Sequence, residues 1–196
     1  MKPTPTNSIK KLQGGVALLE LLIAITVLAF GLLGLVPLII ASIGTNTSNR
    51  VDSSAILLAQ SISEHIAAQA ASSNAVLQLT DCVGNVWNIN TAGAAGPVGA
   101  GALLFTAASA PFPQMVNSID FVNQNVGAVP AGYQASFRNC ANGINTTFDV
   151  RWNIRTLTGV TELVTVAARP RFNGGQNPNV QFAVPVSLRT IVGQVP

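Results

Sequence analysis

The sequence predicts an α+β protein in which a long N-terminal helix, membrane-spanning in its first half and amphipathic in its second, packs on a C-terminal antiparallel β-sheet. Residues 16–43 are almost wholly apolar, residues 51–66 place apolar side chains on one helical face, and parts of 148–188 alternate apolar with polar side chains. These patterns are typical of a membrane span, a surface helix and half-buried strands, respectively.

The apolar stretch from Val16 to Ile43 is long enough to cross a membrane. As an α-helix it extends about 42 Å, against about 30 Å for a bilayer core. Its one ionised side chain is Glu20. Since a carboxylate at that depth costs roughly 2.5–3.5 kcal/mol, we expect Glu20 to have a partner.

The basic residues before this stretch set its orientation. All three lysines (Lys2, Lys10 and Lys11) precede it, so the positive-inside rule places the N-terminus in the cytoplasm and exports everything after Ile43. The chain beyond the lysines has seven arginines and seven acids. The basic isoelectric point therefore reflects the N-terminal lysines and does not by itself predict nucleic-acid binding.

The residues around Gly15 resemble a type IV prepilin signal, also called a class III signal peptide. A basic leader ends at Gly15, the apolar Val16 follows, and Glu20 lies five residues after the glycine. Pro37 is the twenty-second residue counted from Val16, where many type IV pilins carry a proline. The run VLAFGLLGL further resembles minor pilins of the PilV type. Where the family usually has Phe and Thr after the cleavage site, this chain has Val16 and Ala17.

The resemblance implies a pilin fold and a processing pathway. Prepilin peptidase would cleave between Gly15 and Val16 and N-methylate Val16. Glu20 would pair with the terminal amine of a neighbouring subunit, and Pro37 would kink the helix. The implied parts are a cleaved leader (1–15), a transmembrane and assembly helix (16–43), an amphipathic continuation of that helix (44–72) and a periplasmic β-rich head (73–196).

The implied function is that of a minor pilin, which helps to initiate or modify a type IV pilus and so contributes to twitching motility. Its partners would be other minor and major pilins and the assembly platform. The protein would lie in the bacterial inner membrane, with its head in the periplasm, before entering the pilus filament or tip. Two alternatives remain: a minor pseudopilin of a type II secretion system, and a signal-anchored periplasmic binding or enzymatic domain.

The second part of the helix is predicted from a stripe of apolar residues spaced three or four apart. We expect this helix to continue to about Ser72 with the stripe covered by a sheet. His65 lies beside the stripe and is interpreted as a surface or rim residue. The stripe comprises Val51, Ala55, Leu58, Ile62 and Ile66.

The middle of the chain gives weaker signals. The Gly/Ala-rich segment Thr91–Ala102 is predicted to be a surface loop. Cys82 and Cys140 are the only cysteines. In an exported domain such a pair predicts a disulfide, with two free buried thiols as the alternative. The short apolar runs, interpreted as strands or loop pieces, are Val76–Leu79, Val86–Ile89 and Ile119–Val122.

The last third has the clearest strand pattern. Phe148–Ile154 alternates with Asp149, Arg151, Asn153 and then Arg155, which predicts a half-buried strand. The charges on its outer face are interpreted as solvated or as cross-strand charges. Leu157–Thr161 would turn the chain into a strand at Val164–Ala168. Phe182–Leu188 is predicted as a third strand, with Pro185 favouring the sheet edge. Tyr133–Arg138 is a possible fourth, and Asn173–Pro178 a loop.

The sequence contains no pattern that indicates an enzyme. There is one histidine, the acids outside the membrane stretch occur singly, and neither a zinc motif nor a nucleophile elbow is present. We therefore expect no catalytic residue, metal or cofactor. A nucleic-acid partner is disfavoured, because strand alternation turns Trp152 inward from Arg151 and Arg155, leaving only Arg169 and Arg171 to extend a small basic patch.

Overall fold

The computed structural model describes residues 13–69, 77–140, 146–171 and 184–193. The first element is helix α1, Gln13–Ala68. The chain divides into two compact units, Met1–Thr47 and Ser48–Pro196, and α1 contributes to both. Beyond α1 the structure is built from short and long strands.

In the first unit, α1 exposes apolar side chains all round. From Ala17 to Asn46 every side chain is exposed, and Phe30 has 76% of its surface accessible. By length and composition this helix is able to cross a membrane. The hydroxyl of Thr26 donates to the Leu22 carbonyl one turn earlier, which satisfies it within the helix.

Helical structure continues through Pro37, which lies inside α1. A proline at that point removes one backbone N–H from the helical ladder. The predicted kink stays a prediction.

In the second unit, the amphipathic part of α1 is buried as the stripe predicts. Ile62 is fully buried, whereas His65 is exposed. The Ser63 hydroxyl lies 3.0 Å from the Thr190 hydroxyl of the sheet. The helix ends at Ala68, before the predicted Ser72, and residues 70–72 lie outside the described residues. The helical side chains in the core are Val51, Ala55, Leu58, Ala59, Ile62 and Ile66.

Two sheets follow the helix. The first is an antiparallel hairpin of β1 (Leu77–Thr80) and β2 (Val86–Ile89). The second contains β3 (Ala94–Ala95), β4 (Ala100–Gly101), β5 (Gln134–Asn139), β6 (Thr146–Thr158), β7 (Thr161–Arg171) and β8 (Val186–Gly193). Short 3-10 helices form at Pro113–Met115 and Val126–Ala128.

Strand β6 organises the larger sheet. On one side it pairs antiparallel with β5 and β4 and parallel with β3; on the other it pairs antiparallel with β7, which pairs with β8. The sheet is therefore mixed, and the prediction of a purely antiparallel sheet is wrong at β3. The predicted turn between β6 and β7 and the predicted fourth strand at β5 are both confirmed.

The short apolar runs, interpreted as strands or loop pieces, have different outcomes: Val86–Ile89 is β2, whereas Ile119–Val122 is a loop piece in which Ile119 forms an isolated bridge with Leu104. Strand β8 lies at the edge of the described sheet, as predicted, but it begins at Val186, so Pro185 precedes the strand instead of lying within it. Val76, Phe182 and the predicted loop Asn173–Pro178 lie outside the described residues.

The prediction that Thr91–Ala102 is a simple surface loop is wrong. It contributes β3 and β4 beside β6, and Ala102 is fully buried. A β-carbon on Gly101, at φ +110°, would overlap the Trp152 carbonyl oxygen of β6. The small residues thus permit close approach to the backbone of β6. The sequence pattern does not reveal this role, because residues of this size bury little side-chain surface.

The larger sheet has an inner and a polar face. The inner face carries Val150, Trp152 and Ile154 of β6 with their partners Ala168, Val166 and Val164 of β7. Thr190 is the register partner of Val164, and its contact with Ser63 places α1 against this face. The polar face carries the intervening residues, including Asp149, Arg151, Asn153, Thr165 and Arg169.

Candidate functional site

The predicted site residues fall into two groups, one on α1 and one in the second unit. Gly15 and Val16 lie within α1, and Glu20 is exposed one turn further along. Pro37 is also in α1, whereas Cys82 and Cys140 are in the second unit. The structure therefore gives an exposed apolar helix segment and, separately, a disulfide-linked second unit.

Glu20 is the one ionisable side chain on an apolar helical surface. Within α1 the residues from Ala17 to Ile43 are otherwise apolar apart from Thr26 and Ser42, and all are exposed. A carboxylate on such a surface has no counterion on its own helix. When the helix enters an apolar environment, a cation from another molecule is the partner that would offset the desolvation of Glu20.

The disulfide links the smaller sheet to β5. Cys82 follows β1 and Cys140 follows β5, and their bonded side chains bring Cα atoms to 5.9 Å across a sequence separation of 58 residues. The structure thus contains the predicted pair. A crosslink of this span stabilises a fold mainly by restricting the unfolded chain, by about 4 kcal/mol in the entropic model.

Asp81 fixes the turn between β1 and β2. Its carboxylate accepts hydrogen bonds from the backbone N–H groups of Val83 and Asn85 and from the Asn85 side chain. Burial raises the pKa of Asp81, but these bonds and one from the Arg138 backbone outweigh burial and lower the pKa overall. Asp81 is therefore a structural acid with its oxygens occupied.

The polar face is buried, so the interpretation of its charges as solvated is wrong. The alternative of cross-strand charges is confirmed for Asp149, which pairs with its register partner Arg169. Asp149, Arg151 and Asn153 are 2%, 0% and 1% exposed. The segment around Asp120–Gln124 supplies contacts that cover them: the Arg151 Nη1 donates to the Gln124 carbonyl at 2.6 Å. Alternation correctly assigned the side chains to one face, but it carried no information about a loop that lies over that face.

The buried charges are paired with each other. Arg151 donates through Nε to Asp149 Oδ1 at 3.1 Å and through Nη2 to Oδ2 at 2.9 Å, and Arg169 adds a second bond to Oδ2 at 3.2 Å. Both guanidinium groups lie about 4.5 Å from the Phe121 ring centre. Charge pairing and ring contact explain why a full-length arginine is tolerated at zero exposure.

Asn153 connects the same face to the Gly/Ala-rich segment. Its amide donates to the carbonyls of Val98 at 2.9 Å and Ala102 at 2.8 Å. This polar network was missed by the sequence interpretation. The available signal was Asp149 and Arg151 two residues apart on a strand, which places opposite charges on one face.

Glu162 is a further buried acid that the sequence interpretation missed. It is 9% exposed, and its only hydrogen bond among the described residues is from Thr156 at 3.5 Å. Burial raises the pKa of Glu162, and the hydrogen bond from Thr156 offsets this only in part. A β-carbon on Gly93 would lie 2.6 Å from Glu162 Oε1, so the chain passes directly over this carboxyl group.

Tyr133 contributes to the same region. Its hydroxyl donates to the Ala92 carbonyl at 2.6 Å, and its ring is tilted against Trp152 with centres 6.4 Å apart. Burial and the charge of Glu162 raise the pKa of Tyr133. Tyr133 is therefore a protonated donor that fixes the Gly/Ala-rich segment.

In the described parts of the chain, no group of three or more His, Cys, Asp or Glu side chains could hold a metal ion. Among the described acids and arginines, Asp149 pairs with Arg151 and Arg169, whereas the buried Glu162 and the half-buried Arg155 form no ion pair. Comparisons with family models, curated proteins and solved structures find no match to this chain. The functional argument therefore rests on the chain's own residues.

Proposed function

We propose that the chain is a minor pilin that helps to initiate or modify a type IV pilus. The observation that carries the proposal is the division of α1 into two surfaces. Its residues 17–43 are exposed and apolar, and its later stripe is buried in the head. A filament subunit needs one helix surface for membrane and neighbouring helices and another to hold its head.

The apolar part of α1 requires an apolar environment. A continuous exposed surface of leucine, isoleucine, valine and phenylalanine is incompatible with water as a final environment. A bilayer satisfies it first, and packing among similar helices would satisfy it in a filament. This supports a subunit that is stored in the inner membrane and then transferred to an assembly.

Glu20 supplies the proposed recognition step. After cleavage at Gly15, the amine of Val16 in a neighbouring subunit would be the cation that pairs with Glu20. An ion pair in a low-dielectric environment is costly to break by removing one partner, and it therefore favours one axial register over others. The head would provide side contacts and carry no chemical step.

The proposal is tested by replacing Glu20 with glutamine in the full-length chain. Glu20→Gln removes the charge and nearly preserves shape, so processing should continue while recovery in the sheared filament fraction falls about tenfold or more, as expected for a buried pair. Asp52→Asn is the matched control, because Asp52 is an exposed acid later on the same helix. Equal filament recovery for Glu20→Gln and wild type would contradict the proposed pairing.

Deletion of the gene tests which kind of filament the chain joins. Loss of surface pili and twitching with normal protein secretion is expected for a minor pilin. Loss of secretion with normal pili would instead indicate a minor pseudopilin of a type II secretion system.

A further inference from the structure

One end of the polar face carries a cluster of arginines. Arg138 of β5 and Arg171 of β7 are both register partners of Thr147 on β6. Register partners in antiparallel strands lie side by side on one face, so the two arginines flank Thr147. We call this surface the arginine patch; its members are Ser136, Arg138, Thr147, Arg169 and Arg171.

Side-chain contacts show that the patch is continuous across the sheet. The Arg171 Nη1 donates to the Ser136 hydroxyl at 3.2 Å, which bridges β7 and β5. Arg169 lies on the same face, two residues before Arg171, and its side chain is 34% exposed. Arg171 itself is exposed. The exposed Arg171 and the half-buried Arg138, Arg169, Ser136 and Thr147 therefore share one partly accessible surface.

Positive charge in the patch is not balanced. Asp149 is the acid that pairs with Arg169, but it is 3% exposed and is shared with the buried Arg151. Among the described residues, neither Arg138 nor Arg171 forms an ion pair.

Nearby acids form no ion pair with these two arginines. Asp81 accepts a hydrogen bond from the Arg138 backbone, but among the described residues its carboxylate pairs with no arginine side chain. The sequence segments directly after β5 and β7, residues 141–145 and 172–183, contain no charged residue.

The spacing suits a polymer with regularly placed carboxylates. Arginines two residues apart on a strand are separated by about 7 Å, and arginines on β5 and β7, two strands apart, by about 10 Å. Each guanidinium is a planar donor that binds a carboxylate through two parallel hydrogen bonds. The hydroxyls of Ser136 and Thr147 add donors and acceptors for neutral hydroxyl groups.

The described residues of this surface are poorly suited to single-stranded nucleic acid. Such binding depends on rings that stack with bases in addition to positive charge. Phe121 is the ring against Arg169, but it is 7% exposed and already contacts two guanidinium groups. Phe137 pairs in register with Phe148 and so belongs to the opposite face.

We propose that the arginine patch binds an acidic polysaccharide through its carboxylate groups. The patch would engage successive uronic acid units, with Arg138 and Arg171 contacting carboxylates and the intervening hydroxyls contacting sugar hydroxyl groups. This binding does not depend on filament assembly. Its failure would leave the processing and recovery tests of the filament proposal unaffected.

The test uses the full-length chain in non-ionic detergent micelles and a fluorescently labelled oligogalacturonate as the probe. Fluorescence anisotropy should show binding that weakens as salt rises, and neutral dextran oligomers should not compete. The double variant R138Q/R171Q should bind about tenfold more weakly, since each exposed pair contributes a few-fold. R50Q is the matched control: Arg50 is exposed on α1 and has no ion pair among the described residues, so its affinity should match wild type.

Three results would overturn the proposal. They are absence of oligogalacturonate binding by the wild-type chain, equal loss of affinity in R50Q and R138Q/R171Q, and tighter binding of a single-stranded oligonucleotide than of oligogalacturonate. Near-UV circular dichroism, which reports on the buried Trp152, verifies that each variant is folded.

Discussion

Replacing Arg151 with methionine tests the buried polar face most sharply. Methionine keeps the length and apolar stem of arginine but removes the hydrogen bonds to Asp149 and to the Gln124 carbonyl. Asp149 would retain Arg169 at 3.2 Å. The loss should therefore fall at the lower end of the range for breaking a buried pair, about 3 kcal/mol.

Arg155→Met is the matched control on the same strand and face. Arg155 is half-buried, and its Nε is buried without a hydrogen-bond partner. Since methionine removes an unsatisfied donor, the free energy of unfolding should stay within about 0.5 kcal/mol of the wild-type value or increase slightly. Two arginines that the sequence pattern treats as equivalent are thus expected to behave differently.

The assay is urea unfolding of the full-length chain in non-ionic detergent, followed by tryptophan fluorescence, to which the buried Trp152 and the half-buried Trp87 both contribute. With an m-value of about 2 kcal/mol/M, Arg151→Met should lower the midpoint by about 1.5 M, whereas Arg155→Met should leave it nearly unchanged. The double variant D149L/R151M should recover part of the loss, because it removes the carboxylate that Arg151→Met leaves under-partnered. Equal and small effects of both single substitutions would refute the argument and indicate a solvated face.

The remaining predictions concern backbone, crosslink and protonation. Gly101→Ala should destabilise the head by about 3 kcal/mol, because strain at positive φ is added to overlap with β6, whereas Gly96→Ala, at φ +100° with open space, should cost about 1 kcal/mol; equal urea midpoints would contradict the overlap. Replacing Cys82 and Cys140 with serine should lower the unfolding free energy by about 4 kcal/mol, and a dithiothreitol-insensitive wild-type midpoint would argue against the crosslink. Because the pKa of Glu162 is raised in the folded state, its contribution to stability is present below the unfolded pKa and is lost as pH rises through the folded pKa. Glu162→Gln should therefore remove this pH-dependent loss of stability. A variant whose urea midpoint depends on pH as the wild-type midpoint does would contradict the prediction.

The amphipathic part of α1 and strand β6 could be predicted from the sequence, because both follow from local periodicity. The stripe from Val51 to Ile66 is buried, and the alternating run at Phe148–Ile154 lies within β6. In both cases one sequence period corresponds to one geometric period, so the buried set can be read from the chain.

Features that depend on distant segments were beyond this reasoning. Arg151 is buried because Gln124 and Phe121 lie over a face that β6 presents. Small side chains allow β6 to approach Ala94–Ala95 and Ala100–Gly101, and these two segments therefore join the sheet. The strand propensity of alanine and glycine is low and predicts neither segment as a strand. No local pattern encodes these long-range contacts.

The candidate site residues also differ in whether local sequence predicts them. The cysteine pair could be predicted from the number of cysteines and from the exported location that the N-terminal pattern predicts. The arginine patch could not, because Arg138 and Arg171 become neighbours only through the pairing of both β5 and β7 with β6.

The most direct test of the central claim is the intact mass and N-terminal sequence of the chain recovered from membranes with active prepilin peptidase. A chain that begins at N-methylated Val16 is the predicted result and would establish processing as a pilin-like subunit. A chain that retains Met1–Gly15 under the same conditions would contradict the account and leave a membrane-anchored periplasmic domain.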